Sequence, residues 1–425
     1  MKQDRTVFSS QFNKKPQWFN LINYLWRNSY NIGTKVRLDK DHLIKLARKQ
    51  TGLHSFGSDF YEDPLDRLLV SINEEADLHP VGRFITQKRM VNLLATRLRA
   101  EKWLKYHPEI LEQELYPVKL ICGLQRTGTT KLHRLLAADP ENRTLLSWEA
   151  INPVPFNDSI HTIEKDKRLQ QAKISERFLR ILAPGFFSIH PVEYKAPEED
   201  ILLLDTTFMS TTPEATMYVP SYASWLEKTD QSPAYEYMVK LLKLLQWQQP
   251  AESWVLKSPH HMEFLGLAKK YFGEVKYIWT HRSLYESLPS FLSMVAHSQT
   301  IFSNNVSPEK VAEHWMRKTA FMLSKAMEFR KMNPKEVFID IFYVDLIKDI
   351  VKTMNKIYRG KDRYTPVLQN IFLKAEKDNP QNRYGYHFYD LKDFGLTKES
   401  MDKEMSEYMI FMQELEGIHS FSRHD

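Results

Sequence analysis

The stretch Val118-Lys119-Leu120-Ile121-Cys122-Gly123-Leu124-Gln125-Arg126-Thr127-Gly128-Thr129-Thr130 decides the fold. A short apolar run ends in a loop framed by two glycines, and Leu132, Leu135 and Leu136 then recur at helical spacing. Strand, glycine loop and helix start, in that order, predict an anion cradle. The first amides of the helix lack carbonyl partners, and the positive end of its dipole lies behind them. The spacing Gly-x4-Gly is that of the loop that wraps nucleotide phosphates, but Thr129 stands where an NTP-hydrolysing protein carries lysine. With Arg126 inside the loop, the expected ligand is a phosphate-bearing donor other than ATP.

Outward from this loop, strands and helices alternate. Trp254-Val255-Leu256 reads as a strand running into Lys257-Ser258-Pro259-His260-His261, after a helix that starts at Ser232-Pro233. Val275 to Thr280 reads as another, ending at His281-Arg282 before a helix from about Leu284, and Val337 to Ile341 as a further one. Such alternation predicts an α/β fold with a parallel sheet flanked by helices, whose ligands sit beyond the carboxyl ends of the strands. Residues 1–115 read instead as a helical arm, with Asp63-Pro64 as N-cap and first residue of a helix striped by Leu65, Leu68, Leu69 and Ile72. The main domain is expected over 116–425.

The chain has 425 residues, 42% hydrophobic and 12% aromatic, as expected of a packed enzyme. Its net charge of +6, from 59 basic and 53 acidic residues, fits an anionic ligand and argues against nucleic acid as a partner. One cysteine, Cys122, excludes an internal disulfide framework and reads as strand core. The N-terminal residues show no signal-peptide pattern and no stretch reaches membrane-span length, so a cytoplasmic protein is expected. The sequence offers no positive sign of peripheral membrane contact.

Several residues carry candidate chemistry. Thr127, Gly128, Thr129 and Thr130 supply cradle amides and hydroxyls, and Arg126 adds a fork of charged donors. Arg282 closes a strand with Ser290 eight residues on, a little over two helical turns, so the pair can share one side of a helix and grip a second phosphate. Taken alone, an arginine at a strand end is a common feature.

Together these residues resemble the sulfotransferases that use 3′-phosphoadenosine-5′-phosphosulfate (PAPS), the bacterial-type branch most of all. Gly123 to Thr130 is similar to their 5′-phosphosulfate loop, and Arg282 with Ser290 to their 3′-phosphate motif. The likeness continues through Tyr218-Val-Pro-Ser-Tyr, Leu244-Leu-Gln-Trp, Trp254-Val-Leu-Lys-Ser-Pro-His-His, His387-Phe-Tyr and Asp393-Phe-Gly-Leu-Thr, over residues 63 to 412 or so. The resemblance implies a P-loop-like fold, PAPS as co-substrate, no metal requirement, and a hydroxyl-bearing small-molecule, lipid or sugar acceptor. One departure is Arg126, where animal cytosolic members carry lysine. Arginine stays charged, so it stabilises the leaving phosphate without protonating it. Lys257 is expected to share in neutralising the transferred group.

For the base that takes the acceptor's proton, the first choice is Glu149, because a glutamate in the corresponding segment looks like the base in tyrosylprotein sulfotransferases and a trehalose-sulfating bacterial relative. The ordinary alternative for Glu149 is a helix N-terminal carboxylate. His261 is the rival, against the alternative of a packed histidine. Glu198 and Glu199 are weaker candidates for the base, against the favoured alternative of an exposed acidic turn. Tyr218, Tyr222, Trp225, Phe186 and Phe187 suit an acceptor pocket or core equally, and Tyr384 to Tyr389 suit a flap over the nucleotide or core. The runner-up function, a P-loop kinase or NTPase, lacks its lysine and would need Asp340 or Asp345 to hold Mg²⁺. A third reading is a nucleotide-binding protein without turnover.

Overall fold

β-Branched, aromatic and other apolar residues concentrated in four short runs build the centre of the molecule. In the computed structural model, which describes residues 6–13, 15–30, 33–156, 166–359, 364–380 and 383–421, seven strands are present. They are β1 (Thr6–Phe8), β2 (Val118–Cys122), β3 (Asn142–Thr144), β4 (Ser253–Lys257), β5 (Val275–His281), β6 (Phe338–Phe342) and β7 (Tyr386–Phe388). Five of them form one parallel sheet in the order β3-β4-β2-β5-β6. The expected α/β architecture, a parallel sheet flanked by helices, is what the chain adopts.

A parallel sheet needs cover on both faces, which is why its strands read as nearly continuous apolar runs. Alternate residues feed two cores. Leu120, Cys122, Trp254, Leu256, Tyr277 and Trp279 face the larger one, which also holds the helices before β2. Ile121, Val255, Ile278 and Ile341 face the smaller one, filled by Leu132, Leu135 and Leu136 of the helix after the glycine loop. Cys122 is buried, as its neighbours predicted, and burial pushes its thiol pKa far up. It is strand core.

Seven helices matter below: α1 (Gln17–Asn28), α2 (Lys40–Thr51), α3 (Glu62–Glu74), α4 (Pro80–Tyr106), α5 (Glu109–Glu112), α6 (Thr129–Leu136) and α7 (Ser147–Ile151). Three local expectations are corrected. First, α3 starts at Glu62, so Pro64 is its third residue and not its first. Amides of the first turn have no helical partner, so proline is tolerated there too. Second, the N-terminal region is not helical throughout, because β1 pairs in parallel with β7 near the other end of the chain. Third, β3 was not anticipated. Asn142-Arg143-Thr144 shows no apolar run, yet all three residues are buried at the sheet edge. There Asn142 accepts from the buried Lys119 at 2.7 Å.

Among the described residues, no helix is long and apolar enough to cross a membrane.

Candidate active site

The loop between β2 and α6 is held by its own side chains before any ligand is considered. Gly123 has a φ of +139°, and a Cβ there would collide with Thr280 at the end of β5. Thr127 is buried, donates to the Leu124 carbonyl at 2.6 Å and meets the Thr280 hydroxyl at 2.7 Å. Gly128, the residue before the helix, has a φ of +95° and leaves only 2.9 Å between an added Cβ and the Tyr343 ring. Arg126 itself adopts a φ of +68°, a left-handed conformation that costs a non-glycine residue about 1–2 kcal/mol. Its side chain offsets that strain by donating to Ser290 Oγ at 3.0 Å and to the Ile189 carbonyl at 3.3 Å.

The first helical hydrogen bond of α6 runs from the Leu132 amide to the Gly128 carbonyl. The amides of Thr129, Thr130 and Lys131 are therefore left for a ligand. All three residues line a cavity of about 390 Å³ at the carboxyl end of the sheet. Arg126, Arg282 and Ser290 line the same cavity, so the two groups of residues expected to hold anions, read from separate stretches of sequence, meet in one place. Arg282 donates to the Arg126 carbonyl at 3.0 Å, lies over the Tyr343 ring at 4.3 Å and pairs with Glu286 at 2.8 Å. The pKa of Arg126 is lowered, first by burial and then by the Arg282 charge, against the opposing effect of Tyr389 and Tyr343. Two cations crowded in this way leave an electrostatic deficit that a bound anion relieves.

Much of the remaining lining comes from residues the sequence left unassigned, Tyr384 excepted. Ser188 to Pro191 form one side, and Glu376, Asn379, Arg383 and Tyr384 another. Lys131 pairs with Glu376, and Arg134 with Glu193 at 2.6 Å. Tyr384, His387 and Tyr389 reach the cavity from the segment around β7, whereas Tyr386 and Phe388 stay exposed on the alternate side. Alternation along the strand separates His387 and Tyr389 from Tyr386 and Phe388, while Tyr384, before the strand, joins the cavity out of that pattern.

The chain and its fold are matched in known proteins. The sulfotransferase family model fits residues 117–362, more than half of the chain. The chain belongs to the sulfotransferase family. Its structure is similar to that of the sulfotransferase STF9 from Mycobacterium avium, at 26% identity and a TM-score of 0.80 over 88% of this chain and 97% of that one. It is also similar to the sulfotransferase STF1 from Mycobacterium tuberculosis, at 28% identity and a TM-score of 0.76 over 88% of this chain and all of that one. No curated protein matches the chain by sequence.

Within this sulfotransferase, several residues expected at the site lie elsewhere. Glu149 does not line the cavity. It is 2% exposed, its Oε1 pairs with Arg143 at 2.5 Å, and its Oε2 accepts the Leu146 amide at 3.0 Å to cap α7. Both oxygens are taken. His261 is fully buried, with Nδ1 on the Tyr235 hydroxyl at 2.6 Å and Nε2 on Asp200 at 3.1 Å. It too is outside the cavity, as is Thr127, whose hydroxyl is spent on Leu124 and Thr280. Tyr222, Phe187 and Trp225 also stay out of it. Tyr222 is buried with its hydroxyl on the Phe208 and Ser210 carbonyls, and Phe187 packs edge-on against Tyr384.

Glu199, set aside as part of an exposed turn, does line the cavity. Its Oε1 pairs at 2.5 Å with Lys257, a residue expected at the site that is only 3% exposed and does not itself line the cavity. His190 lies in the same wall. Burial lowers its pKa, with Glu198 and Glu199 opposing and Lys257 and Arg126 reinforcing that shift. Asp340, the carboxylate a kinase would turn toward Mg²⁺, is clamped by Arg330 at 2.6 Å and His281 at 2.9 Å. The clamp and its hydrogen bonds outweigh burial and hold its carboxyl far below the usual range.

Proposed function

We propose that the chain moves a sulfuryl group from PAPS to the hydroxyl of a small-molecule, lipid or carbohydrate acceptor. The observation that carries this reading is the convergence of the α6 amides, Arg126, Arg282 and Ser290 on one cavity. In this reading Thr129, Thr130 and the free amides take the 5′-phosphosulfate, while Arg282 and Ser290 take the 3′-phosphate. Arg126, a loop residue whose side chain is bonded to Ser290 and to the Ile189 carbonyl, joins the two ends. Each charge-assisted hydrogen bond contributes about 1.5–3 kcal/mol, so several together suffice to hold a doubly anionic donor.

The base is assigned to Glu199 in place of Glu149 or His261. It has access to the cavity and is engaged through one oxygen only, whereas the other two have spent their acceptors on the fold. In the step, the acceptor oxygen attacks sulfur in line with the breaking bond. Glu199 takes the hydroxyl proton, and the sulfur–oxygen bond to the 5′-phosphate breaks with its electron pair going to the leaving adenosine 3′,5′-bisphosphate. Lys257, beside Glu199, and Arg126 neutralise the charge that develops on the transferred group and the leaving phosphate. Arg126 remains charged throughout, so it does not act as the acid.

The residues fit PAPS better than a nucleoside triphosphate. Thr129 and not lysine directly follows Gly128, and Asp340 is already committed to Arg330 and His281. The test is a thermal-shift titration. Adenosine 3′,5′-bisphosphate is expected to raise Tm by mass action, and transfer from labelled PAPS to survive EDTA. A shift with ATP and none with the bisphosphate would reject the assignment.

A further inference from the structure

Arg282 sits on a short connection. β5 ends at His281 and the next helix runs from Leu284 to Gln299, so only Arg282 and Ser283 lie between them. The side chains on both flanks of that connection are tied to two helices late in the sequence. On one flank the fully buried His281 ring meets the Tyr408 hydroxyl through Nδ1 at 3.0 Å and Asp340 through Nε2 at 2.9 Å. On the other, Tyr285 donates to Asp402 and lies 3.9 Å from the Met409 sulfur. Asp402 belongs to the helix Lys398–Glu404, and Tyr408 and Met409 to the helix Ser406–Phe421. Both helices lie beyond residue 362, where the match to the sulfotransferase family model ends.

The first of these ties is a directed chain. Arg330 holds both oxygens of Asp340, at 2.6 and 2.9 Å, which keeps the carboxylate charged. A charged carboxylate only accepts, so His281 donates from Nε2. Burial lowers the pKa of the ring against the pull of Asp340, which leaves it neutral with Nδ1 as an acceptor. Tyr408, itself buried, therefore donates its hydroxyl to Nδ1. Phe411, three residues on, packs on the Trp279 ring at 5.5 Å and lies under Arg330 at 5.4 Å. The ring of His281 is thus fixed through both nitrogens, and one of the two anchors is the late helix.

We infer that Tyr408 and His281 are positioning residues that set where the Arg282 guanidinium meets the 3′-phosphate, a role that rests on the reading of Arg282 proposed above. Arg282 needs an outside reference. Its side chain is held by the Arg126 carbonyl, the Tyr343 ring and Glu286, and the last is 57% exposed, so that ion pair holds it weakly. The backbone turn supplies the rest of its aim. A misplacement of about 1 Å in a positioned group can cost up to about a hundredfold in its effect. His281 continues the Trp279 side of β5, stacking on that ring at 5.3 Å, whereas Arg282 lines the cavity. Tyr408 acts from the core side and does not line the cavity.

Calorimetric titration of the full chain with adenosine 3′,5′-bisphosphate and with 5′-AMP tests this in the parent, in Tyr408→Phe, and in Tyr408→Phe combined with Arg282→Ala. Tyr408→Phe is expected to weaken the bisphosphate by about five- to tenfold and to leave 5′-AMP within about twofold. In turnover assays, KM for PAPS is expected to rise more than kcat falls. In the Arg282→Ala background the same change is expected to cost the bisphosphate nothing further, because the group it positions is gone. Tyr285→Phe, which cuts the other flank, is expected to shift the nucleotide ratio in the same direction by about two- to threefold. A purely structural role predicts equal losses for both nucleotides and additive losses with Arg282→Ala. Either result overturns the inference, as does an unchanged ratio in Tyr408→Phe. If Tyr408→Phe does not fold, the ratio in Tyr285→Phe decides by the same criteria. A parent that binds both nucleotides equally overturns the reading of Arg282 itself, which is distinct from a parent that discriminates and a variant that discriminates as well.

Discussion

Glu199 and Glu149 are held in the same way and placed in opposite circumstances. Each has a carboxylate oxygen 2.5 Å from a buried cation, Lys257 for one and Arg143 for the other. Glu149 spends its second oxygen on the Leu146 amide and is sealed in, whereas Glu199 opens on the cavity beside the cradle. The comparison separates a carboxylate that stabilises the fold from one able to take a proton. What distinguishes them is access and an unspent lone pair; the partner's charge is common to both.

The largest expected effect tests that distinction. Glu199→Gln should cut turnover by about 10²–10⁴-fold, the usual worth of a positioned base, while affinity for adenosine 3′,5′-bisphosphate and Tm stay near those of the parent. Glu149→Gln should do the reverse. Breaking a buried pair typically costs about 3–5 kcal/mol, so urea or thermal unfolding should show a loss of that order, with turnover per folded molecule preserved. Matched losses of turnover in both variants would erase the contrast.

A smaller effect sharpens the two-grip picture. Arg282→Ala should weaken the 3′,5′-bisphosphate by about 10- to 100-fold, the worth of one or two charge-assisted hydrogen bonds, and leave 5′-AMP binding nearly untouched. Equal weakening of both ligands by calorimetry would mean that Arg282 does not read the 3′ position.

The smallest effect concerns pH. His387, on the cavity wall, is lowered to about 3, mainly by burial and then by the Arg126 charge, and His79 is lowered to about 3 mainly by burial. An unfolded histidine titrates near 6.5, so between about 6.5 and 3 the unfolded chain binds protons that the native state refuses. Their contribution to stability is therefore intact above about 6.5 and falls as the solution is acidified toward 3. The slope is at most about 1.4 kcal/mol per pH unit for each histidine. His387→Gln should make this acid limb shallower in denaturant titrations run across that range, and an unchanged slope would show that the ring is charged in the native state.

How much was legible follows from where each signal lies. The cradle was readable because its glycines, threonines and arginine are local, and because Gly123 and Gly128 meet close neighbours that only glycine tolerates. Arg282 and Ser290 were readable from the strand end and the eight-residue spacing, although Arg282 lies before the helix, which starts at Leu284, so helical periodicity does not relate them. β4 and β5 announced themselves by apolar runs, but β3 did not, and that omission spread to the site. Without β3 there is no buried Arg143, and without Arg143 nothing in the sequence says that Glu149 is occupied. The Glu199–Lys257 pair spans 58 residues and depends on the chain returning to the carboxyl end of β4. A turn written Pro-Glu-Glu-Asp reads as exposed until the tertiary fold closes a cavity over it. His190, flanked by Ile189 and Pro191, carried no pattern at all.

The most direct test of the central claim is calorimetric titration of the parent chain with adenosine 3′,5′-bisphosphate and, separately, with 5′-AMP. Two grips on one ligand predict that the bisphosphate binds at least about thirtyfold more tightly, the worth of the added 3′ contacts. Equal affinity for the two nucleotides would contradict the account.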